Sequence, residues 1–385
     1  MKRDHQPWEA ELRAQIKAQA SMLCVREEIE LLDGSVISSV DGPSLVVYFG
    51  GAAAGISGQC SDQVERALRL GIPVIPVVDP DRPFIEQIPP FLSDINAFKW
   101  VDQSVGVDLA SLILRELGIT ESRRQVFVSY RRSDASGMSE QIFDALSKRG
   151  FDVFLDRFDV APGERVQTCI RDALEDVSFV LLIESQEAHN SKWVFWEVQY
   201  ALKHHMGLLI VTLPSTDYRV AGTDDLPREY VSNADLMSDS SSRTLTEEAL
   251  ERLLRRIEFW HADGLLRRRR NLLSAVVEMS KSTRRKVVEL PDWKLLITDI
   301  DSPPPFITIL GIVPRLPRVD DLWELHVSSK THMTNMRDPC FKVLVFPSEY
   351  LPRDRERLLE WAGAPHGITL VEIQGLSTLL EGPSR

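Results

Sequence analysis

The sequence predicts an α/β fold in which a parallel sheet is covered by helices on both faces. Four short, mostly apolar runs, at 126–129, 153–155, 179–183 and 208–213, have the length of buried strands. The segments between these runs carry apolar residues at helical spacing. Apolar strands that alternate with helices are typical of a parallel sheet buried on both faces. In such a sheet, functional side chains collect at the carboxyl ends of the strands.

The helices of this central part are predicted from apolar residues three or four positions apart. Gly150 ends the first of them, because glycine is favoured just after a helix. The defining residues are Met138, Ile142, Ala145 and Leu146 in the first helix, Ile170, Ala173 and Leu174 in the second, and Val194, Val198, Ala201 and Leu202 in the third.

The remaining carboxyl-terminal sequence predicts a separate, smaller α/β domain. Residues 215–245 are rich in Ser, Thr and Asp and are predicted as loop, with 238–242 a candidate linker. Residues 246–282 have a helical pattern. Beyond them we predict strands at 293–297, 306–310, 322–327, 341–345 and 369–373, with a helix at 353–361 before the last strand.

The first 120 residues repeat part of the central pattern at an offset of 134. Residues 44–49 correspond to 178–183, Ser57 to Ser191, and residues 63–68 to 197–202, with no gap. The repeat predicts that residues 1–120 are a truncated relative of the central module. In it, Gln59 and Gln63 stand at the positions of Trp193 and Glu197. The alternative is two unrelated α/β domains.

The composition argues against several classes of function. A net charge of −12 disfavours general binding to nucleic acid or to an anionic membrane. The four cysteines are scattered, without histidines at metal-ligand spacing, which indicates a reduced protein with no metal site. The amino terminus is polar and no apolar run is long enough to span a membrane. We therefore expect a soluble, cytoplasmic protein.

Four motifs follow one another within residues 124–214. They are Phe127-Val128-Ser129-Tyr130-Arg131-Arg132-Ser133-Asp134, Val153-Phe154-Leu155-Asp156, Ala161-Pro162-Gly163-Glu164, and Ser191-Lys192-Trp193 with Glu197 four residues after the tryptophan. In order and spacing this set resembles a TIR (Toll/interleukin-1 receptor) domain of the bacterial type, over about a quarter of the chain. The resemblance implies a flavodoxin-like fold.

The resemblance also implies two classes of function. TIR domains are either adaptor modules or enzymes that cleave the nicotinamide–ribose bond of NAD⁺. Bacterial members commonly act in antiphage defence, by depleting NAD⁺ or by making cyclic ADP-ribose-type signals. NAD⁺ would be the substrate and no cofactor would be needed. The family further implies self-association through TIR domains.

Glu197 is the family's catalytic glutamate by motif position, and its chemistry fits that role. Nicotinamide leaves NAD⁺ from a cationic pyridinium and needs no general acid. Positive charge develops on the ribosyl carbon, where one carboxylate stabilises an oxocarbenium-like ion. Trp193 lies one helical turn earlier and is expected to pack against the nucleotide or to shape its pocket. The alternative for Glu197 is an ordinary exposed helix carboxylate.

The other candidate substrate-binding residues follow the first two strands. Arg131 or Arg132 would pair with the pyrophosphate, since guanidinium binds phosphate bidentately. Ser133 or Asp134 would either contact substrate or cap the helix that follows. Phe154, Asp156 and the loop 157–165 resemble the strand and BB loop that gate the pocket in this family; the alternative for the loop is a simple surface connection.

A basic segment stands out in this acidic protein. It contains Arg267, Arg268, Arg269 and Arg270, and Leu265, Leu266, Leu272 and Leu273 form an apolar stripe beside it. It is either a surface for a nucleotide, a nucleic acid or an acidic partner, or a connecting helix with a solvated basic face. Nuclease activity is disfavoured because Glu324-Leu325-His326 lacks the lysine of such sites.

These observations together predict three domains and one main function. Residues 1–120 are a degenerate TIR-like α/β module, 121–240 a TIR domain, and 241–385 a helical connector with an α/β sensing or regulatory domain. The predicted function is an NAD⁺ glycohydrolase of antiphage defence, controlled by a ligand or by assembly. A non-enzymatic adaptor and a cyclase that makes a cyclic ADP-ribose-type signal are the alternatives.

Overall fold

A computed structural model describes most of the chain. The described residues are 6–23, 29–32, 43–51, 58–102, 104–120, 124–155, 173–174, 177–237, 243–283, 285–290, 292–299, 306–333, 340–347 and 351–381. The chain forms two compact units. The central unit is Glu121–Arg268 with Pro314–Leu316, and the other comprises Met1–Thr120, Arg269–Val313 and Pro317–Arg385. The predicted limits at 120 and 240 stay predictions.

The described strands and helices alternate along much of the chain. The strands are β1 (Val46–Phe49), β2 (Val74–Val78), β3 (Phe98–Lys99), β4 (Arg124–Tyr130), β5 (Phe151–Leu155), β6 (Phe179–Glu184), β7 (Gly207–Thr212), β8 (Arg228–Tyr230), β9 (Lys286–Glu289), β10 (Leu295–Asp299), β11 (Phe306–Ile312), β12 (Cys340–Phe346) and β13 (Ile368–Glu372). The helices are α1 (Gln6–Met22), α2 (Gly58–Arg69), α3 (Phe84–Gln87), α4 (Ser104–Glu116), α5 (Arg132–Lys148), α6 (Lys192–Lys203), α7 (Glu247–Ser282), α8 (Val319–Met333), α9 (Arg353–Gly363) and α10 (Leu376–Glu381).

The central unit contains a parallel sheet in the order β5-β4-β6-β7-β8, which confirms the predicted fold class. One face of the sheet packs on α5 and on the first part of α7, through residues such as Val128, Met138 and Ile257. The other face packs on α6, through residues such as Phe127 and Val198. Alternation along β4 therefore assigns each side chain to one of the two helical layers.

Strand β8 lies where the sequence predicted only loop. It has three residues, all of them polar or partly exposed, and it pairs with β7 at the sheet edge. An edge strand of this length has neither the apolar run nor the alternation on which strand prediction depends. The predicted helix at 246–282 is confirmed as α7.

The amino-terminal part of the other unit has a small parallel sheet, β1-β2-β3. Its register agrees with the predicted repeat, because Val46 pairs with Val74 and, at an offset of 134, Val180 pairs with Leu208. Helices α2 and α6 have the same bounds at that offset. Trp100 stacks on Trp8 with ring centroids 5.5 Å apart. That the two modules are related stays a prediction.

The carboxyl-terminal sheet has the order β13-β12-β11-β10-β9, with β11, β12 and β13 parallel. The strand predicted at 322–327 is wrong, because these residues belong to α8. The buried residues of α8 include Leu322, Leu325 and Ser329, which recur at helical spacing. Asp320 and Asp321 in the first turn, with Lys330 and His332 in the last, complement the helix dipole.

Two absences hold for the described part of the chain. None of its helices is both long and apolar enough to cross a membrane. It also contains no group of three His, Cys, Asp or Glu side chains arranged to bind a metal ion.

Asp235 makes one part of the central unit sensitive to acid. Arg252 Nη2 donates to its Oδ1 at 2.7 Å, and the backbone N and Oγ of Ser232 donate to Oδ2. The hydrogen bond from Arg252, followed by those from Ser232, lowers the pKa of Asp235 to about 2. A carboxylate with a lowered pKa stabilises the folded state above its ordinary pKa, and this stabilisation is lost as the pH falls towards 2.

We therefore expect Asp235→Asn to reduce the free energy of unfolding by about 1 kcal/mol at pH 7, a value kept small because half-exposed Arg252 is screened by solvent. The difference from the wild type should shrink between pH 4 and pH 2. Urea unfolding at several pH values measures this. The exposed Asp225→Asn is the control, and a difference independent of pH would contradict the assignment.

Candidate active site

Helix α6 begins at the carboxyl edge of the central sheet. A short 3₁₀ turn, Ala188–Asn190, follows β6, and Ser191 then occupies the N-cap position of the helix. The Ser191 Oγ accepts a hydrogen bond from the backbone N of Val194 at 3.3 Å. This cap satisfies one of the free N–H groups of the first helical turn and fixes where the helix starts. It thereby sets which residues of α6 face the sheet.

Glu197 lies on the face of α6 that packs against the sheet. Its exposed fraction is 4%, and its neighbours on this face, Val194, Val198 and Ala201, are apolar and buried. Ser129 Oγ donates a hydrogen bond to Glu197 Oε2 at 2.5 Å. Glu197 is thus a buried carboxylate with a hydroxyl donor, and the reading of it as an ordinary exposed helix carboxylate is wrong.

Ser129 is a site residue that the sequence reasoning missed. It lies near the carboxyl end of β4 and is itself buried. Alternation from Phe127 places its side chain on the α6 face of the sheet. A serine within the apolar run 126–130 was a visible signal, but its partner is 68 residues away in sequence. Only the fold brings the two together.

Of the two aromatic candidates, Trp193 lies at the surface and Phe154 lies within a packed layer. Trp193 lies one turn before Glu197 and is 46% exposed. Phe154 is partly buried and stacks on Phe127, with ring centroids 5.2 Å apart and planes at 12°. Phe154 therefore lies on the same face of the sheet as Ser129, within the packed layer. Trp193 lies at the surface, where a large apolar side chain can contact a ligand.

Arg131 connects the end of β4 to the turn before α6. Its Nη1 donates to the backbone O and to the Oε2 of Glu187, both at 3.1 Å. Asn190 Nδ2 donates to the same carboxylate at 2.9 Å. Hydrogen bonds from Asn190 and then from Arg131 lower the pKa of Glu187. Arg131 thus positions two loops at the sheet edge, a role that the sequence did not predict.

The next three candidates lie in the first turn of α5. Arg132 is exposed, and Ser133 Oγ donates to Asp134 Oδ1 at 3.2 Å. Neither Ser133 nor Asp134 caps the helix, because the N-cap residue is Arg131 and no side chain accepts the capping hydrogen bond. The capping alternative is therefore wrong. Asp156 and the loop 157–165 lie outside the described residues.

A buried ion pair lies next to the site and was also missed. Glu184, the last residue of β6, pairs with Arg228 of β8. Glu184 Oε1 accepts from the backbone N of Val220 at 2.9 Å, and Thr212 Oγ1 donates to its Oε2 at 3.1 Å. Arg228 Nη2 donates to the O and Oγ1 of Thr223. A glutamate at the end of the apolar run 179–183 was the available signal.

The basic segment of α7 is engaged within the protein. Arg267 pairs with Asp263, and Arg268 Nη2 donates to the backbone O of His204 at 2.8 Å. Arg269 donates to the backbone O of Gly118 and lies over the ring of Trp293, 5.1 Å from its centroid. These contacts favour the reading of the segment as part of a structural helix.

Comparison with known proteins gives a family match within the central unit. Residues 126–254 match the family model described as TIR domain. A solved structure described as "Structure of the activated Roq1 resistosome directly recognizing the pathogen effector XopQ (TIR domains)" is 22% identical, with a TM-score of 0.23. That match covers 24% of this chain and 58% of the other chain. No curated protein matches the sequence.

Proposed function

We propose that this TIR-domain protein cleaves the nicotinamide–ribose bond of NAD⁺, with Glu197 as the catalytic carboxylate. The observation that carries the proposal is the burial of Glu197 at the carboxyl edge of a parallel sheet, with Ser129 as its hydrogen-bond donor. In α/β sheets, this edge is where ligands bind.

Packing does not account for a carboxylate at this position. Removing a carboxylate from water is costly, and the neighbouring buried positions of α6 are filled by Val194, Val198 and Ala201. Burial of this kind is characteristic of active sites, where a charged group is held ready for chemistry. It is therefore support for a role of Glu197 in function.

The chemistry requires a carboxylate in a fixed position. As nicotinamide departs, positive charge grows on the ribosyl carbon, and a nearby carboxylate stabilises it best in a site of low dielectric constant. The Ser129 hydroxyl holds one oxygen of Glu197 and so limits the rotation of the carboxylate. Preorganisation of this kind lowers the barrier because no reorientation is needed during the reaction.

The remaining candidates are assigned to substrate binding. Trp193, exposed one turn before Glu197, offers a flat surface for nicotinamide or for the adenine ring. We assign the pyrophosphate to Arg132, which is exposed at the start of α5, because guanidinium binds phosphate bidentately. Phe154 supports the site from the packed layer below it.

Incubating the full chain with NAD⁺ and measuring released nicotinamide tests the proposal. Product mass separates ADP-ribose, expected for hydrolysis, from a cyclic ADP-ribose-type product, which would indicate the cyclase alternative. We expect release to depend on a ligand or on assembly, as suits a toxic activity in antiphage defence. No release, even after forced oligomerisation, would favour the adaptor alternative.

Ser129→Ala is expected to lower kcat for nicotinamide release by about tenfold to a hundredfold, the equivalent of a lost hydrogen bond to a charged group. KM should change little, because Ser129 is a positioning residue that acts through Glu197. Steady-state kinetics measures kcat and KM separately. Ser139→Ala is the matched control, because Ser139 is also buried but donates only to a backbone oxygen within α5. Equal losses in both variants would contradict the assignment.

A further inference from the structure

A row of three rings lies on the surface of the carboxyl-terminal sheet domain. Trp323 and His326 are one turn apart on α8, with ring centroids 5.9 Å apart. His326 in turn contacts His366, with centroids 4.3 Å apart and planes at 43°. His366 lies in the 3₁₀ turn Ala364–His366, just before β13. The row is open to solvent, since Trp323 is 62% exposed and His366 is exposed.

Two lysines complete this cluster, which we call the ring–lysine cluster (Trp323, His326, Lys330, Lys342 and His366). Lys342 of β12 donates from Nζ to the backbone O of His366 at 3.0 Å. Lys330 lies one turn after His326 on α8 and so on the same face of the helix. The cluster thus brings together two lysines, which are cationic, and two histidines, which become cationic when protonated. They come from three elements, which are α8, β12 and the 3₁₀ turn before β13.

All titratable side chains of the cluster are basic, so its charge is positive. Burial lowers the pKa of His326 below its ordinary value, and three neighbours lower it further. In order of effect these neighbours are Lys330, His366 and Lys342. None of the groups that shift the pKa of His326 is a carboxylate. In a protein with a net charge of −12, a cluster of this sign is a local exception.

The cluster also has an unused hydrogen-bonding atom and room beside it. His326 Nδ1 is buried and makes no hydrogen bond within the described part of the chain. A buried polar atom of this kind is costly unless something pairs with it. Gly367, which follows His366 with φ of 65°, has nothing within 4 Å of where a Cβ would be. The turn that carries His366 is therefore open to an approaching ligand.

We propose that the ring–lysine cluster binds a nucleoside phosphate, with the base on Trp323 and the phosphate on His326, His366 and Lys342. Aromatic faces stack on any base, and clustered cations pair with phosphate oxygens through charge-assisted hydrogen bonds. A free nucleotide and a single-stranded nucleic acid share this chemistry. Either would bind the domain to which the sequence assigns a sensing role. The proposal is independent of the catalytic activity of the central unit.

A bound phosphate should raise the pKa of His326, because it is an opposite charge beside the imidazole. Binding is therefore linked to proton uptake, and affinity should rise as the pH falls. A phosphodiester probe keeps its single charge throughout this range. For adenosine 3′,5′-cyclic monophosphate we expect about five- to tenfold tighter binding near pH 6 than near pH 8.

NMR titration of the full chain with this cyclic nucleotide, and separately with a short oligothymidylate, tests the proposal. The ring protons of His326 and His366 should shift on binding. His366→Gln, Lys342→Gln and Trp323→Gln should each weaken binding about tenfold. Lys281→Gln and Trp361→Gln are the controls, because they remove an exposed lysine and a tryptophan that is 76% exposed outside the cluster.

The two probes identify the source of the phosphate. Shifts with the cyclic nucleotide alone would indicate a free nucleotide, and stronger binding of the oligothymidylate would indicate a single strand. The proposal is overturned if neither probe shifts the two histidines, or if the cluster variants bind as tightly as the wild type. It is also overturned if the control variants lose as much affinity. Nicotinamide release plays no part in these measurements, so failure here and failure of the catalytic proposal are distinguishable.

Discussion

Glu197→Gln is expected to lower nicotinamide release by at least about a thousandfold, which corresponds to about 4 kcal/mol in the activation free energy. Glutamine keeps the size of the side chain and an oxygen that can accept from Ser129. It removes the negative charge to which we assign the stabilisation of the ribosyl cation. The loss should therefore appear in kcat, with thermal stability close to that of the wild type.

Two further measurements make this result specific. Glu248→Gln, which neutralises an exposed carboxylate in the first turn of α7, should retain full activity. Binding of NAD⁺ to Glu197→Gln should persist, since the other contacts are intact. Substantial release by the Glu197→Gln enzyme would show that the catalytic carboxylate is elsewhere. Equal loss in both variants would point to a general effect of charge.

The sequence predicted the central sheet well because its strands are buried on both faces. Strands β4, β6 and β7 each contain a continuous apolar run. Such a run predicts a buried strand from local sequence alone, without knowledge of the surrounding fold. The short strands β8 and β9 were missed because they have only three and four residues, which are partly exposed and do not form an apolar run.

The error at 322–327 has a different origin. Over these six residues, the apolar residues Trp323, Leu325 and Val327 alternate with polar ones, which is the pattern of a half-buried strand. In α8, however, Leu325 is buried while Trp323 and Val327 are exposed. The charges favour the helix, because acids precede the segment and bases follow it, as the helix dipole favours. Those charges lie outside the six residues themselves.

The candidate site was predicted only in part. Glu197 was identified through its family motif, and its burial could not be read from the sequence. The motif contained Ser129, but the contact between them depends on how α6 packs against β4. Arg131 was correctly placed at the sheet edge, but its partner Glu187 belongs to a turn that no local pattern indicates.

The first module gives Glu197 an internal comparison. At the offset of 134, Gln63 stands at the position of Glu197, on a helix with the same bounds. The matching helix thus has an uncharged side chain where α6 has a buried carboxylate. This is expected if Glu197 serves a function of the central unit and not the packing of its helix.

Removal of Arg228 is expected to destabilise the central unit strongly. Glu184 is fully buried and Arg228 is nearly so, with exposed side-chain fractions of 0% and 6%. Arg228→Met leaves the Glu184 carboxylate buried without its cation. Loss of one partner of a buried pair costs about 3–5 kcal/mol, which is a large part of the stability of an ordinary domain.

The matched experiment is a double-mutant cycle with Glu184→Gln and Arg228→Met, followed by urea unfolding of the full chain. The double variant should recover much of the stability that Arg228→Met loses, because no uncompensated charge remains buried. Thr212 and Val220 still offer hydrogen bonds to the glutamine. A coupling free energy near zero between Glu184 and Arg228 would show that the two side chains are not an ion pair shielded from water.

The outcome bears on the catalytic site because both carboxylates lie near the same edge of the sheet. Glu184 ends β6, and α6, which carries Glu197, follows β6 after one short turn. If Arg228→Met loses less than about 1 kcal/mol, water reaches Glu184 and this edge is not a low-dielectric environment. The argument that a fixed carboxylate stabilises the ribosyl cation there would then be weakened. If this edge of the sheet excludes water, Arg228→Met should reduce the free energy of unfolding by several kcal/mol.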